Sequence, residues 1–237
     1  MAREIPMTGN KYVKGLDKSL KKMLEIALEK LSPKNYLIVA TLIHTGARVG
    51  EVIRLKVKDF DFESKTIRIK TEKRKGDVYR IIPIPDDNKY GKIYWKILEK
   101  FIFIEGLMEN EYVFFKRGDR SKHVSRVWVY YLFNFLSGRR KDLRIYTSKG
   151  VGKDLVFRTA EGKAVHPHAI RHTVATALSQ KAKNIMELRS IQNMLGHSKI
   201  DMTIYYVGVS EKVKSKLISS LFKEEEKEHQ ETKEEGS

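Results

Sequence analysis

The sequence predicts a mainly α-helical domain carrying one small antiparallel β-sheet, an α+β arrangement. Through most of the chain apolar residues recur at three- and four-residue spacing, the period of a helix with one buried face. Between Phe60 and Ile84 the period drops to two, as in a strand. The 237 residues, 41% of them hydrophobic, supply enough apolar surface for a real core, so the body is not expected to be disordered.

Over residues 17–31, Leu20, Met23, Leu24, Ala27, Leu28 and Leu31 form one apolar face of an amphipathic helix. Ser32 then stands at an N-cap position and Pro33 at the first helical position, ahead of the apolar YLIVATLI and a stop at Gly46. TIRIK alternates, a basic stretch EKRKGD follows, and VYRIIPI alternates again, which predicts a β-hairpin with a long basic loop. Helical spacing returns over Lys89–Met108 and Ser125–Leu136, with Tyr, Trp and Phe expected on the inward face as core. Residues 137–164, rich in glycine, lysine and arginine, read as an extended basic loop with one short strand near DLVF.

His166-Pro167 opens a helix to about Lys183, with His168, Arg171, His172 and Ala175 along one side. A short helix carrying MELRSIQNML ends at Gly196, and another begins near Asp201 and holds Tyr205 and Tyr206. After Ser210 a last helix presents Val213, Leu217, Ile218, Leu221 and Phe222 as an apolar face that calls for a partner. The tail from 223 to 237 is acidic and expected to be disordered.

No cysteine is present, which excludes disulfide scaffolding, a thiol nucleophile and cysteine-ligated zinc. No stretch approaches the ~18–20 apolar residues of a membrane span, and the first thirty residues lack the features of a signal peptide. A cytoplasmic protein with no membrane partner is therefore expected. The formal charge is +17, and because the tail holds three lysines against seven glutamates, the rest of the chain carries +21. Together with a pI near 9.8, this favours a phosphate-rich partner, nucleic acid, over a merely solvated lysine- and glutamate-rich surface.

Four segments place cationic or proton-transferring groups beside turns and helix starts: TGARVGE at 45–51, KRKG at 73–76, HPHAIRH at 166–172 and LGH at 195–197, followed by the tyrosine pair. Singly, each has a structural explanation. Arg48 can pair with Glu51 one helical turn on, His197 can satisfy a helix C-terminus, and His172 can be a buried histidine bonded to nearby backbone.

In this order and spacing, the four segments resemble the catalytic domain of tyrosine recombinases, the integrase and Xer-like family of site-specific recombinases, over roughly Leu16–Ser219. The resemblance implies that fold, double-stranded DNA as partner, and cleavage and rejoining through a 3′-phosphotyrosyl bond with neither metal nor other cofactor. It implies that Arg48 and Arg171 grip the non-bridging phosphate oxygens, for which planar guanidinium forks are suited. His168 would assist proton removal from the tyrosine, His197 would hydrogen-bond the phosphate, and Lys75 would protonate the leaving 5′ oxygen. Lys75 is favoured over Lys73 because Lys75-Gly76 matches the family's Lys-Gly. Glu51 would support the site without performing chemistry.

In the family the nucleophile stands nine residues after the histidine of Leu-Gly-His, which selects Tyr206 over Tyr205. Neighbours on a helix point ~100° apart, so one of the two faces the phosphate. The resemblance also implies a tetramer on DNA with exchange of the C-terminal helix. It divides the chain into a linker or remnant at 1–16, a catalytic domain at 17–222 and the tail, without the N-terminal clamping domain usual in relatives. An origin in an archaeon or virus is suggested by lysine and glutamate richness alone.

Three readings compete. A metal site at His166, His168 and His172 is disfavoured because Pro167 takes His166 out of the regular turn and Arg171 would place a cation among the ligands. The paired short helices around Leu-Gly-His also suit a DNA-binding regulator or junction-binding module without catalysis. A type IB topoisomerase would share the chemistry, but the apolar C-terminal helix favours a recombinase.

Overall fold

The computed structural model describes residues 16–72, 77–137 and 165–196. The expected loop over 138–164 and everything expected after Gly196 lie outside the described residues, as does the segment 1–15. What is described is mostly helical with small antiparallel sheets, as the two periods predict.

Helix α1 (Leu16–Lys30) packs on α2 (Pro33–Thr45). α2 is the centre of the fold: from Asn35 to Thr45 nearly every residue is buried, because YLIVATLI is apolar all round and so must be covered on all sides. Pro33 starts it, and Gly46 ends it with φ 59°, donating its N–H to Leu42 O. α4 (Lys89–Glu105) lies against α2, with Tyr94 Oη 2.8 Å from Thr41 Oγ1 and Trp95 Nε1 donating to Ile84 O. Gly91 in its first turn is required, since a Cβ there would stand 1.9 Å from Pro85 O.

The sheet is three-stranded: β1 (Phe60–Asp61), β2 (Thr66–Lys70) and β3 (Tyr79–Pro83), all antiparallel. The expected hairpin is β2–β3, and its register pairs Ile67 with Ile82 and Ile69 with Arg80. Ile67, Ile69 and Ile82 are fully buried while Arg68, Lys70 and Ile81 face out, so the period of two is real. A second hairpin, β4 (Phe115–Lys116) and β5 (Asp119–His123), was not foreseen; β4 is too short to show a period, and DRSKH has no apolar alternation.

The remaining helices are the single turn α3 (Val49–Val52), α5 (Arg126–Leu136), α6 (Pro167–Lys181) and α7 (Ile185–Leu195). α6 packs on α2, and α7 packs on both α6 and β3. The aromatic residues divide: Tyr94, Trp95, Phe101, Phe133 and Phe135 are core as expected, whereas Phe103, Tyr130 and Tyr131 are exposed. The expectation of a uniformly inward aromatic face is corrected there, because helical periodicity alone leaves the residues flanking the stripe undetermined.

Candidate functional site

The site begins at the end of α2. Thr45 Oγ1 donates to Thr41 O and accepts from Ala47 N, which turns the chain immediately after the helix. Gly46 is needed twice over: its φ is left-handed, and a Cβ would stand 2.8 Å from Leu195 Cδ2. Arg48 is the extended N-cap of α3, and Glu51 at the third helical position reaches back to accept from Arg48 N (2.9 Å) and Arg48 Nη1 (3.1 Å). The foreseen Arg48–Glu51 pair therefore exists, and it fixes the arginine's backbone as well as its guanidinium.

The Glu51 side chain is completely buried and its carboxylate accepts five hydrogen bonds. Two come from Arg48, one from Glu72 N and two from Arg80, the shortest being Arg80 Nη2 at 2.6 Å. Burial pushes this carboxyl's pKa up, but the hydrogen bond and charge of Arg80, with those of Arg48, outweigh it and hold the pKa below the ordinary 4.5. Arg80 was not foreseen. Its signal was in the strand: Arg80, Ile82 and Ile84 share the inward phase of VYRIIPI, and a charge in that phase demands a buried partner. Arg80 also donates from Nε to Met194 O (2.8 Å) and from Nη1 to Thr71 Oγ1 (3.1 Å).

α6 brings up the second expected arginine. Pro167 occupies its first position and His166 caps it, accepting from Ala169 N at Nδ1. Arg171 is 6% exposed and donates from Nη1 to Gly46 O and from Nη2 to Leu195 O, both at 2.7 Å. One guanidinium thus joins the turn after α2 to the end of α7. A helix end leaves its last carbonyls without partners; here Met194 O and Leu195 O are met by Arg80 and Arg171, cations at the negative pole of α7.

His168 is exposed, its ring parallel to that of His166 at 6.5 Å. His172 too lies on the exposed side, so the alternative of a buried histidine does not hold there, and partial burial followed by the charge of His168 lowers its pKa. Ala175 is buried beside Arg171, so the predicted common side of α6 splits into an exposed histidine edge and a buried arginine edge.

Beside α3, the Glu72 carboxylate pairs with Arg54 Nη1 (3.1 Å) and with Arg126 at the start of α5. Gly50 makes room for this pair, since a Cβ would stand 2.6 Å from both Arg126 Nη2 and Glu72 Oε1. Glu72 and Asp77, which pairs with Lys70, stand at the two ends of the basic loop. Of the six residues expected to carry chemistry, Arg48, His168 and Arg171 are described; Lys75, His197 and Tyr206 lie outside the described residues. The structure brings Arg48 and Arg171 to the two sides of the turn at Gly46.

The arrangement combines donors fixed by buried partners, a pair of exposed histidines and flanking basic residues, which suits an anionic oxyester. The chain matches the phage integrase family over residues 16–212. It is 31% identical over 210 residues to a tyrosine recombinase of Pseudothermotoga lettingae, covering 88% of this chain and 60% of that protein. It is 29% identical over 208 residues to the tyrosine recombinase XerA of Pyrococcus furiosus, covering 85% of this chain and 61% of that one. The structure of XerH site-specific recombinase bound to palindromic difH substrate, a post-cleavage complex, superposes with a TM-score of 0.59 at 23% identity, over 91% of this chain and 55% of that one. The chain thus spans about 60% of the length of these curated relatives, and the structural likeness carries the fold, that of a tyrosine recombinase catalytic domain.

Proposed function

The chain belongs to the phage integrase family, and from that premise we propose that it is a site-specific recombinase that cuts and rejoins double-stranded DNA through a 3′-phosphotyrosyl intermediate. The observation that carries the reading is Arg171: its guanidinium holds the TGARVGE turn and the end of α7 together, so three of the four cationic segments meet at one place. The relatives named as tyrosine recombinases support it.

In the proposed reaction the Tyr206 oxygen attacks phosphorus and the bond to the 5′ oxygen breaks. His168 assists removal of the tyrosine proton, and Lys75 delivers a proton to the departing 5′ oxygen, leaving a free hydroxyl. Arg48 and Arg171, with His197, stabilise the charge that builds on the non-bridging oxygens. Reversal of the same steps reseals the strand, so neither ATP nor a metal enters the balance. Of the two arginines, Arg48 is the more accessible, with a side chain 19% exposed, whereas Arg171 is buried.

The positive charge of the body draws in the phosphates, and DNA affinity is expected to fall steeply with salt. Residues 17–222 form the catalytic domain, between a linker or remnant at 1–16 and an acidic tail at 223–237. The apolar segment bearing Val213, Leu217, Ile218, Leu221 and Phe222 is proposed as the element exchanged between copies in a tetramer on DNA. No described helix is long and apolar enough to cross a membrane, and the reaction belongs where the DNA is, in the cytoplasm.

The test is incubation with a nicked duplex that traps cleavage, in EDTA, read on a denaturing gel. A protein band shifted by attached DNA, lost in Tyr206→Phe while DNA affinity stays within a few fold, is the expected result. A band lost in Tyr205→Phe instead moves the nucleophile by one residue, and cleavage abolished by EDTA removes the metal-free mechanism. Binding with no covalent product on any duplex replaces the enzyme by a DNA-binding regulator.

A further inference from the structure

Arg80 touches three segments far apart in sequence: Glu51 in α3, Thr71 just past the end of β2, and Met194 in the last turn of α7. Each leads to a group that the proposed reaction uses. Glu51 holds Arg48; Thr71 lies four residues before Lys75, and Met194 three before His197. The contacts use different edges of the guanidinium, Nε toward α7 and the Nη edge toward α3 and β2. Gly196 permits the approach, since a Cβ there would press to 3.2 Å from Arg80 Nη1.

Stability alone does not account for this residue. Arg48 already pairs with Glu51, and taking a second guanidinium out of water to about 8% exposure costs desolvation that a well-packed apolar side chain would avoid. Ile82, two residues on in the same inward phase, shows that the strand accommodates such a side chain. A cation required only to neutralise Glu51 would also have no need of Thr71 or Met194.

We propose that Arg80 is a positioning residue of strand cleavage, holding Arg48, the base of the Lys75 loop and the turn before His197 in one fixed geometry. The proposal rests on the functional reading above. It predicts that the planar fork matters beyond its charge, because a lysine offers its three donors from a single point and cannot reach α3, β2 and α7 at once.

The experiment measures covalent-complex formation by the full chain on the nicked duplex at saturating DNA, recording the first-order rate constant, the final amplitude and the melting temperature. Arg80→Lys is expected to keep its amplitude and its DNA affinity while the rate constant falls on the order of 100-fold, as for a misplacement of about 1 Å at a reacting centre. A merely structural role would lower the amplitude with the folded fraction and leave the rate constant of the remaining molecules at the wild-type value; that result overturns the proposal. Thr71→Val removes one tether without touching charge, and its rate constant is expected to fall on the order of 10-fold, the lower end for a hydrogen bond from a charged donor. If Arg80→Lys does not fold, an unchanged rate constant in Thr71→Val overturns the proposal by itself. Absence of any covalent complex in the wild type removes the functional reading and this inference together, an outcome distinct from either variant result.

Discussion

The surroundings of α2 and the junction of the arginines are both buried, yet they are held by different forces. Around α2, Leu37, Ile38, Val39 and Leu42 are at most 1% exposed, and their contribution is apolar area, which is non-directional and tolerates a change of shape at constant volume. At the junction, Glu51, Arg80 and Arg171 are directional: each donor has a named acceptor, and loss of one partner leaves another buried and unpaired. The first region sets whether the chain folds, the second where its reactive groups stand.

Among these contacts those of Glu51 carry the largest expected effect. Glu51→Gln leaves Arg48 and Arg80 without their counter-charge, and a loss of about 3–5 kcal/mol is expected, together with a slower cleavage rate constant; chemical denaturation and the nicked-duplex assay read the two separately. An equally stable Gln variant would mean the junction is held by packing after all.

Acid separates the regions next. Burial lowers the pKa of His44, whose ring meets Tyr94 edge-on at 5.4 Å, from 6.5 to about 4. Its folded value lies below its unfolded one, so the unfolded chain binds the proton first and stability is lost as pH falls from 6.5 toward 4. The loss amounts to roughly 3 kcal/mol. The Glu51 window lies lower: its pKa is depressed from 4.5, so its contribution is intact above that value and is lost as pH falls through the folded one. His44→Phe should flatten the upper part of a stability-against-pH curve and leave the lower part; a curve unchanged above pH 4.5 would show that His44 is not the group responsible.

Leu37→Ala, in the centre of the core, should cost about 3 kcal/mol while the folded molecules cleave at the wild-type rate constant. A reduced rate constant there would show that the core also tunes the site. The smallest effect is expected at Gly50→Ala, where the Cβ displaces the exposed Glu72–Arg126 pair: under about 1 kcal/mol in melting, since such pairs contribute little.

The same contrast explains what the sequence disclosed. The helices α1, α2, α4, α5, α6 and α7 were legible because apolar period, Pro33 and Pro167 at helix starts, and Gly46 and Gly196 at helix ends all agree. Arg48, Glu51 and Arg171 were legible through motif order, but not how they are held: the partners of Arg171 are backbone carbonyls 125 and 24 residues away in sequence, and a carbonyl leaves no mark on residue identity. Arg80 escaped because its strand was read for its isoleucines. The β4–β5 hairpin escaped because its short strands carry no period, and the exposed Tyr130 and Tyr131 because aromatic residues were equated with core.

One feature of α7 bears on how the chain is free to change. Arg80 and Arg171 hold this helix by its main-chain oxygens, Met194 O and Leu195 O, and Leu195 is its one buried side chain among the described residues. The anchorage is therefore nearly blind to the identity of the exposed residues Met186, Arg189 and Ser190. A randomised library across those positions should yield many functional members, limited by helix propensity alone, while Leu195 and Gly196 admit almost no replacement. Such a helix is a surface on which a new DNA-reading or partner-reading pattern can be written without disturbing the chemistry beneath it.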